Sequence, residues 1–109
     1  MITIDQFGAV EITIGKILSA EKVPETDKLL KLSVSFGEHG VRQVISGIAF
    51  YFPDPQALVG RKCAFVTNLE PRTIKGLESQ AMILAVSTED GKFSSLGVSE
   101  DIPEGTRVK

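Results

Sequence analysis

The stretch VEITIGKILSAEKV, residues 10–23, decides the fold. Four apolar side chains share one parity along it: Val10, Ile12, Ile14 and Leu18. Such alternation predicts a long strand with these side chains turned toward the core. Lys16 interrupts the alternation, and Gly15 beside it indicates a bulge or a sharp coil. We therefore expect one long strand that curves through two environments.

Further strands follow at short intervals. Residues 30–36 alternate between apolar and polar, which predicts a half-buried strand, and Gly37–Gly40 predicts a hairpin turn into a third strand over residues 41–46. The remaining predicted segments are a fourth strand over 61–68, a loop over 69–77, a fifth strand over 78–86 and short strands over 93–96 and 106–108.

Two short helices are predicted. At the N-terminus, Thr3 and Gln6 have the spacing of a capping box, with Ile2 and Phe7 at the positions of a hydrophobic staple. Between the third and fourth strands, Asp54 can cap a helix that has Pro at its first position and Gly60 just after its end.

These elements predict an all-β chain. Five strands, a long curved first strand and a short helix between the third and fourth strands form the plan of a five-stranded OB-fold barrel. The 109 residues suffice for one domain, with the barrel over about residues 10–86 and a C-terminal extension over about 87–109.

Composition excludes several classes. The chain has no apolar run long enough to span a membrane, no signal peptide, and only one cysteine, Cys63, so we expect a cytoplasmic protein. With a single histidine, His39, no zinc cluster is expected, and neither a catalytic motif nor a cofactor motif occurs. We therefore expect no enzyme activity, no cofactor and no metal. The net charge of −2 leaves room for a local basic face.

An OB-fold usually binds its ligand on the face of strands two and three and on the flanking loops. Cations that can hold phosphates and polar side chains that can meet sugar or base edges fall in those segments: Lys28, Arg42, Ser46, the stretch 68–76 and the stretch 79–82. Plainer interpretations stay open: solvated loop cations, a turn at Asn68 and a core methionine. Stacking aromatics are scarce, since Phe36 and Phe65 fit the core and residues 50–52 fit either location. The pattern favours a shaped RNA over a coated single strand.

Five strings in this order resemble a known family: DKLL at 27–30, RQVISGI at 42–48, NLEPR at 68–72, KGLES at 75–79 and SQAMIL at 79–84. They are similar to the tRNA-binding domain at the C-terminus of bacterial and archaeal methionyl-tRNA synthetases, which also occurs as free-standing structure-specific tRNA-binding proteins. The resemblance covers nearly the whole chain. One departure is Ala81, where the family usually has glycine.

The resemblance implies a dimeric OB-fold that binds tRNA by shape. Position by position, it would place four cations on phosphates, three polar residues on sugar or base, and one methionine against a base or beneath the face: Lys28, Arg42, Arg72 and Lys75; Ser46, Asn68 and Ser79; and Met82. It also implies a homodimer interface built from the first helix and from five apolar tail residues: Phe93, Leu96, Val98, Ile102 and Val108.

The resulting hypothesis is a non-catalytic tRNA-binding module that works as a homodimer and assists a methionyl-type aminoacyl-tRNA synthetase in cis or in trans. The alternative is an export-related chaperone on the same dimeric fold, which would bind unfolded peptide. The two differ in the binding face, because a chaperone needs an apolar groove whereas the candidate residues are polar and cationic.

Overall fold

The computed structural model describes residues 1–109 and is mostly β. The helix α1 spans Ile4–Gly8, and the strands are β1 Ile12–Lys22, β2 Leu30–Ser35, β3 Val41–Ser46, β4 Lys62–Val66, β5 Arg72–Ile74, β6 Leu77–Ser79, β7 Met82–Ile83, β8 Ala85–Ser87 and β9 Phe93–Ser95. Short 3-10 helices occupy Gly37–His39, Ala49–Tyr51 and Pro55–Leu58. None of the helices is long and apolar enough to span a bilayer.

The main sheet is built around β1. Its strand order is β3-β2-β1-β4-β7, and every neighbouring pair is antiparallel. The first part of β1 pairs with β4 and the second part with β2, with Lys16 paired to both Ser35 and Lys62. One strand thus belongs to two halves of a curled sheet, as predicted from residues 10–23.

The predicted side-chain parity of β1 is wrong in its second half. The register of β1 against β2 shifts between Ile17 and Ser19, so Leu18 is the bulged residue. The extra residue places Ile17 and Ala20, three positions apart, on the same buried face, while Leu18 is 45% exposed. Val10, which precedes the strand, is also exposed.

Gly15 serves close packing, and the bulge lies three residues beyond it. A Cβ atom on Gly15 would lie 2.5 Å from Cγ1 of Val34 and 2.7 Å from Cε1 of Phe36. Both neighbours are almost fully buried and cannot move aside. The strand therefore needs a residue without a side chain at this point.

The hairpin of β2 and β3 matches its prediction. Leu30, Leu32 and Val34 are fully buried while the residues between them are partly exposed, and β3 covers the predicted residues 41–46. Phe36 then packs edge-on against Phe65, with 5.4 Å between the ring centroids. These side chains form the centre of the core.

The second half of the chain corrects two predictions. The predicted loop over residues 69–77 contains most of a two-stranded hairpin, β5 and β6, which turns at Lys75 and Gly76. Both turn residues have positive φ, 51° and 80°, as a type I′ turn requires. The predicted fifth strand over 78–86 is divided among β6, β7 and β8.

The free edge of β3 meets the chain just after β6. The Gln80 amide donates to the Gln43 carbonyl at 2.8 Å, the Gln43 amide donates to Oε1 of Gln80 at 2.9 Å, and the Ile45 amide donates to Oγ of Ser79 at 3.0 Å. These bonds cover the free edge of β3 in the curled sheet, which is consistent with an OB-like barrel.

Local capping follows the sequence closely. Oγ1 of Thr3 accepts from the Gln6 amide and Oε1 of Gln6 accepts from the Thr3 amide, so α1 has the predicted capping box. Between β3 and β4 the chain makes two 3-10 turns, and Oδ1 of Asp54 caps the second by accepting from the Gln56 amide at 3.1 Å. The helix expected after Asp54 is thus a 3-10 turn, and the turn over Ala49–Tyr51 was not predicted.

The last residues lie along both β1 and β4. The Ala64 amide donates to the Leu96 carbonyl, the Ile14 amide to the Thr106 carbonyl, and the Val108 amide to the Ile12 carbonyl, each at 2.9 Å. The predicted strand over residues 106–108 is represented by a bridge between Thr13 and Arg107. We call residues 96–108 and the strand edges that they cover the tail seam.

Candidate nucleic-acid interface

The residues predicted to bind RNA have different surroundings in the structure. Lys28, Arg72, Lys75 and Met82 are exposed, and their side chains make no hydrogen bond or ion pair. Ser46 is partly exposed. The other three, Arg42, Asn68 and Ser79, are held by hydrogen bonds within the protein.

A mainly apolar groove lies between β3 and the hairpin of β5 and β6. Its lining combines four predicted residues with several apolar neighbours: Ile45, Ser46, Leu69, Glu70, Arg72, Ile74, Ser79, Ala81, Met82 and Ile83. Met82 is 44% exposed here, so it is a surface residue. Ala81, which stands where the family usually has glycine, is 7% exposed. It packs in the core and also lines the groove.

A second groove lies on the other side of Ile74. Lys28 and Lys75 line it together, although they are far apart in sequence, and Ile74 belongs to both grooves. Glu25 and Asp27 also line this second groove, so its charges nearly balance. The long flexible stem of a lysine allows its ammonium group to reach beyond neighbouring carboxylates.

Arg42 connects two elements of the barrel. Its Nη1 donates to the Thr67 carbonyl at 2.6 Å and to the Gln80 carbonyl at 3.4 Å, and its guanidinium lies 5.6 Å from the ring centroid of Phe36. Val44, two residues along β3, is fully buried. The Arg42 face of β3 therefore turns toward the core at Val44.

Asn68 and Ser79 use their hydrogen-bonding groups internally. Oδ1 of Asn68 accepts from the Glu11 amide at 2.9 Å, and its Nδ2 donates to the Ala9 carbonyl at 2.7 Å. Oγ of Ser79 accepts from Ile45 and lies 3.2 Å from the Ala81 carbonyl. Both side chains therefore link segments that are far apart in sequence. Nothing in the local sequence indicates this role.

Glu11 is a charged residue that the sequence analysis did not single out. Its Oε1 accepts from the Thr67 hydroxyl at 2.6 Å, and its Oε2 lies 3.5 Å from Nη2 of Arg107. The hydroxyl hydrogen bond, helped by the positive charges of Arg107 and Arg42, lowers the pKa of Glu11 below its ordinary value of 4.5 despite partial desolvation. This cluster lies at the tail seam.

A comparison with protein families decides the classification. The family described as "Putative tRNA binding domain" matches residues 12–107, almost the whole chain. The chain belongs to this tRNA-binding domain family.

Relatives of this tRNA-binding domain occur within much longer proteins. A methionine–tRNA ligase of Deinococcus radiodurans is 42% identical over 109 residues, and one of Methanospirillum hungatei is 47% identical over 108 residues. These matches cover 100% and 99% of the chain but only 16% of each relative. The domain therefore spans about one sixth of the length of the curated relatives that it matches.

Solved structures of similar size share its fold. A MetRS-related protein from Pyrococcus horikoshii superposes with a TM-score of 0.92 at 40% identity, covering 100% of this chain and 98% of that one. The CsaA chaperone of Bacillus anthracis superposes with a TM-score of 0.87 at 27% identity, covering 100% and 99%. Both a synthetase-related protein and a chaperone thus resemble this tRNA-binding domain.

The tail residues predicted for a dimer interface differ in exposure. Leu96, Val98 and Val108 are 44%, 36% and 41% exposed, while Ile102 is half-buried. Phe93 is half-buried within the chain, since it stacks on Tyr51 with 4.4 Å between ring centroids. Further apolar exposure comes from α1 and the residues around it: Met1, Ile2, Ile4 and Phe7.

Proposed function

We propose that this chain is a non-catalytic tRNA-binding module on an OB-fold barrel. It works in the cytoplasm as a homodimer and assists a methionine–tRNA ligase, in cis or in trans. One observation carries the proposal: in a member of the tRNA-binding domain family, Lys28, Arg72 and Lys75 surround the β5–β6 hairpin without an ion-pair partner.

Cations without an ion-pair partner in the protein are available to contact the phosphates of RNA. Such contacts position the nucleic acid without reading its sequence, and they release counterions when they form. Lys75 stands at the tip of the hairpin, and Lys28 lines the same groove. A folded phosphate backbone can therefore meet cations from two segments that are distant in sequence, as recognition by shape requires.

The acidic residues nearby indicate modest affinity. Glu25 and Asp27 share the groove with the lysines, and the whole chain carries a net charge of −2. A weak binder still assists a synthetase, because tethering raises the effective tRNA concentration at the catalytic site.

The exposed apolar side chains support the homodimer. Ile4 on α1 is 80% exposed, and Leu96 and Val108 on the tail are more than one third exposed. Large apolar side chains exposed in this number are typical of an interaction surface when they lie together. A second copy of the chain would remove these side chains from water.

Polypeptide binding is the second candidate function. The groove between β3 and the hairpin has six apolar lining residues, which an export-related chaperone would need for unfolded peptide. The CsaA chaperone of Bacillus anthracis shares the fold over the full chain. Three of the polar residues expected to oppose this function, Arg42, Asn68 and Ser79, are occupied internally.

A filter-binding titration with bulk tRNA at low and moderate salt tests the proposal, with an unstructured RNA of equal length as the competitor. We expect salt-sensitive binding that prefers folded tRNA. The double variant Lys28→Ala/Lys75→Ala should bind about tenfold more weakly, from two exposed charge contacts of roughly 0.7 kcal/mol each. The matched control Lys92→Ala/Lys109→Ala changes the net charge equally at other exposed positions.

Equal weakening by both double variants would show that net charge alone governs binding. No preference for tRNA over the unstructured RNA would contradict tRNA recognition by shape. Suppressed aggregation of an unfolded protein, lost in Met82→Asp, would then support the polypeptide candidate.

A further inference from the structure

Phe50 is unusually exposed for an aromatic residue. Its side chain is 79% exposed, whereas the next most exposed aromatic, Phe7, reaches only 42%. It lies between Ala49 and Tyr51 in a 3-10 turn, where Ala49 is buried and Tyr51 is anchored by its stacking on Phe93. The turn therefore presents one phenyl ring to solvent while its neighbours are fixed.

The surroundings hold this ring in a defined position. The Tyr51 amide donates to the Ile48 carbonyl and the Phe52 amide to the Ala49 carbonyl, both at 3.1 Å. The rings of Phe50 and Tyr51 meet edge-to-face, with 5.4 Å between their centroids. An aromatic ring held in place loses little further freedom when a ligand stacks on its exposed side.

The turn that carries Phe50 is hydrogen-bonded to the backbone of Lys28, one of the cations without an ion-pair partner. The Ala49 amide donates to the Lys28 carbonyl at 3.0 Å, so the turn and the groove of Lys28 and Lys75 are joined through the backbone. An exposed planar ring in a turn bonded to a lysine that has no ion-pair partner matches the chemistry of an unpaired nucleotide, which offers a base to stack and a phosphate to neutralise.

We propose that Phe50 is a stacking platform for an unpaired base of the bound RNA, whose neighbouring phosphate is held by Lys28. The inference rests on the proposed function, because it assigns a contact within the same RNA site. It extends the site beyond the predicted residues to the turn before β4. The occupant is a single-stranded segment of folded tRNA; a duplex has no free base face to offer.

Two variants test the platform. Phe50→Ala should weaken tRNA binding roughly 5- to 150-fold, the range for loss of one base stack, without changing the salt dependence, because the ring carries no charge. Phe50→Trp should keep the affinity and introduce the only tryptophan of the chain. Its fluorescence should be quenched by tRNA and much less by a duplex RNA of equal length. Val41→Ala, at an exposed apolar position on β3, is the control and should bind normally.

The outcomes separate this inference from the function on which it rests. If the wild-type chain shows no salt-sensitive tRNA binding, the proposed function fails and the platform fails with it. If the wild type binds tRNA but Phe50→Ala binds equally well and Phe50→Trp is not quenched, the platform alone is overturned. A shift of Phe50→Ala to monomers in sedimentation would overturn it by assigning the ring to a second copy. Quenching by unfolded polypeptide in place of tRNA would likewise overturn it.

Discussion

Cations at the β5–β6 hairpin and cations at the tail seam have opposite surroundings. Lys75 at the hairpin makes no ion pair and is exposed. Lys62 at the tail seam is only 12% exposed, donates to the carbonyls of Glu100 and Ile102 at 2.9 and 2.8 Å, and lies 3.7 Å from the Glu104 carboxylate. Arg107 likewise faces Glu11.

The contrast shows why counting charges does not locate a binding face. A cation whose donors are already satisfied holds the fold and has little to offer a phosphate. A cation without partners costs little to bring to RNA, because it gives up no protein contact on binding. The two regions should therefore respond to substitution in opposite ways, the tail seam through stability and the hairpin through binding.

The largest effect is expected at the tail seam. Lys62→Ala removes two hydrogen bonds from a charged donor to backbone carbonyls and should lower the free energy of unfolding by about 2 kcal/mol. Lys75→Ala should change it by less than about 0.5 kcal/mol. Urea denaturation of both variants measures the difference. Equal stability of the two variants would remove the distinction between the regions.

The next effect concerns the salt dependence of tRNA binding. Three cations on phosphates predict a log–log slope of about −2 to −3 for one subunit, and Lys28→Ala/Lys75→Ala should reduce its magnitude by about 1.5. Filter binding at several salt concentrations gives the slopes. Lys62→Ala should keep the wild-type slope when measured well below its unfolding transition. A flat wild-type slope would contradict phosphate contacts at the hairpin.

A smaller effect on the free energy of unfolding is expected at low pH, because of Glu11 at the tail seam. The pKa of Glu11 is lowered in the folded chain, so its contribution to stability is present above the ordinary value of 4.5 and is lost as the pH falls through the lowered value. Glu11→Gln should cost on the order of 1 kcal/mol at pH 7 and should flatten that part of the profile. Urea denaturation between pH 7 and pH 3 tests this. If the free energy of unfolding of the variant falls with pH as it does in the wild type, other carboxylates cause the loss of stability at low pH.

The smallest expected effect distinguishes the backbone conformation of Lys75 from its positive charge at the tip of the hairpin. Lys75 has φ of 51°, which asparagine tolerates better than lysine, so Lys75→Asn should stabilise the chain by about 0.5 kcal/mol. The same variant should weaken tRNA binding as much as Lys75→Ala. Thermal unfolding and filter binding give the two values. Weakened binding in Lys75→Ala but not in Lys75→Asn would show that the turn geometry, and not the cation, matters for RNA.

Local patterns predicted those parts of the fold whose partners are close in sequence. The alternation of residues 30–36, the hairpin into β3 and the capping box of Thr3 and Gln6 are confirmed. The bulge at Leu18 was not predictable, because it depends on the pairing of β1 with two different strands. The hairpin of β5 and β6 had a weak signal in Lys75-Gly76, flanked by apolar residues.

The binding face was predictable only in residue type. Cations and polar groups were expected there, and Lys28, Arg72, Lys75 and Met82 are exposed at the grooves. Whether a polar side chain is free depends on long-range partners, such as Asn68 bonding to Glu11 and Ala9, which are 57 and 59 residues away in sequence. Periodicity carries no information on contacts of that range, and the contacts of all these residues with RNA stay predictions.

The tail seam has a consequence for the exposure of strand β1 before folding is complete. The edge of β1 at Ile12 and Ile14 receives its hydrogen bonds from Gly105–Val108, about ninety residues later in synthesis. Without that segment, β1 has an open edge that can pair with other strands. A chain truncated before residue 105 would thus keep most of the domain but expose this edge, whereas residues 105–108 cover it.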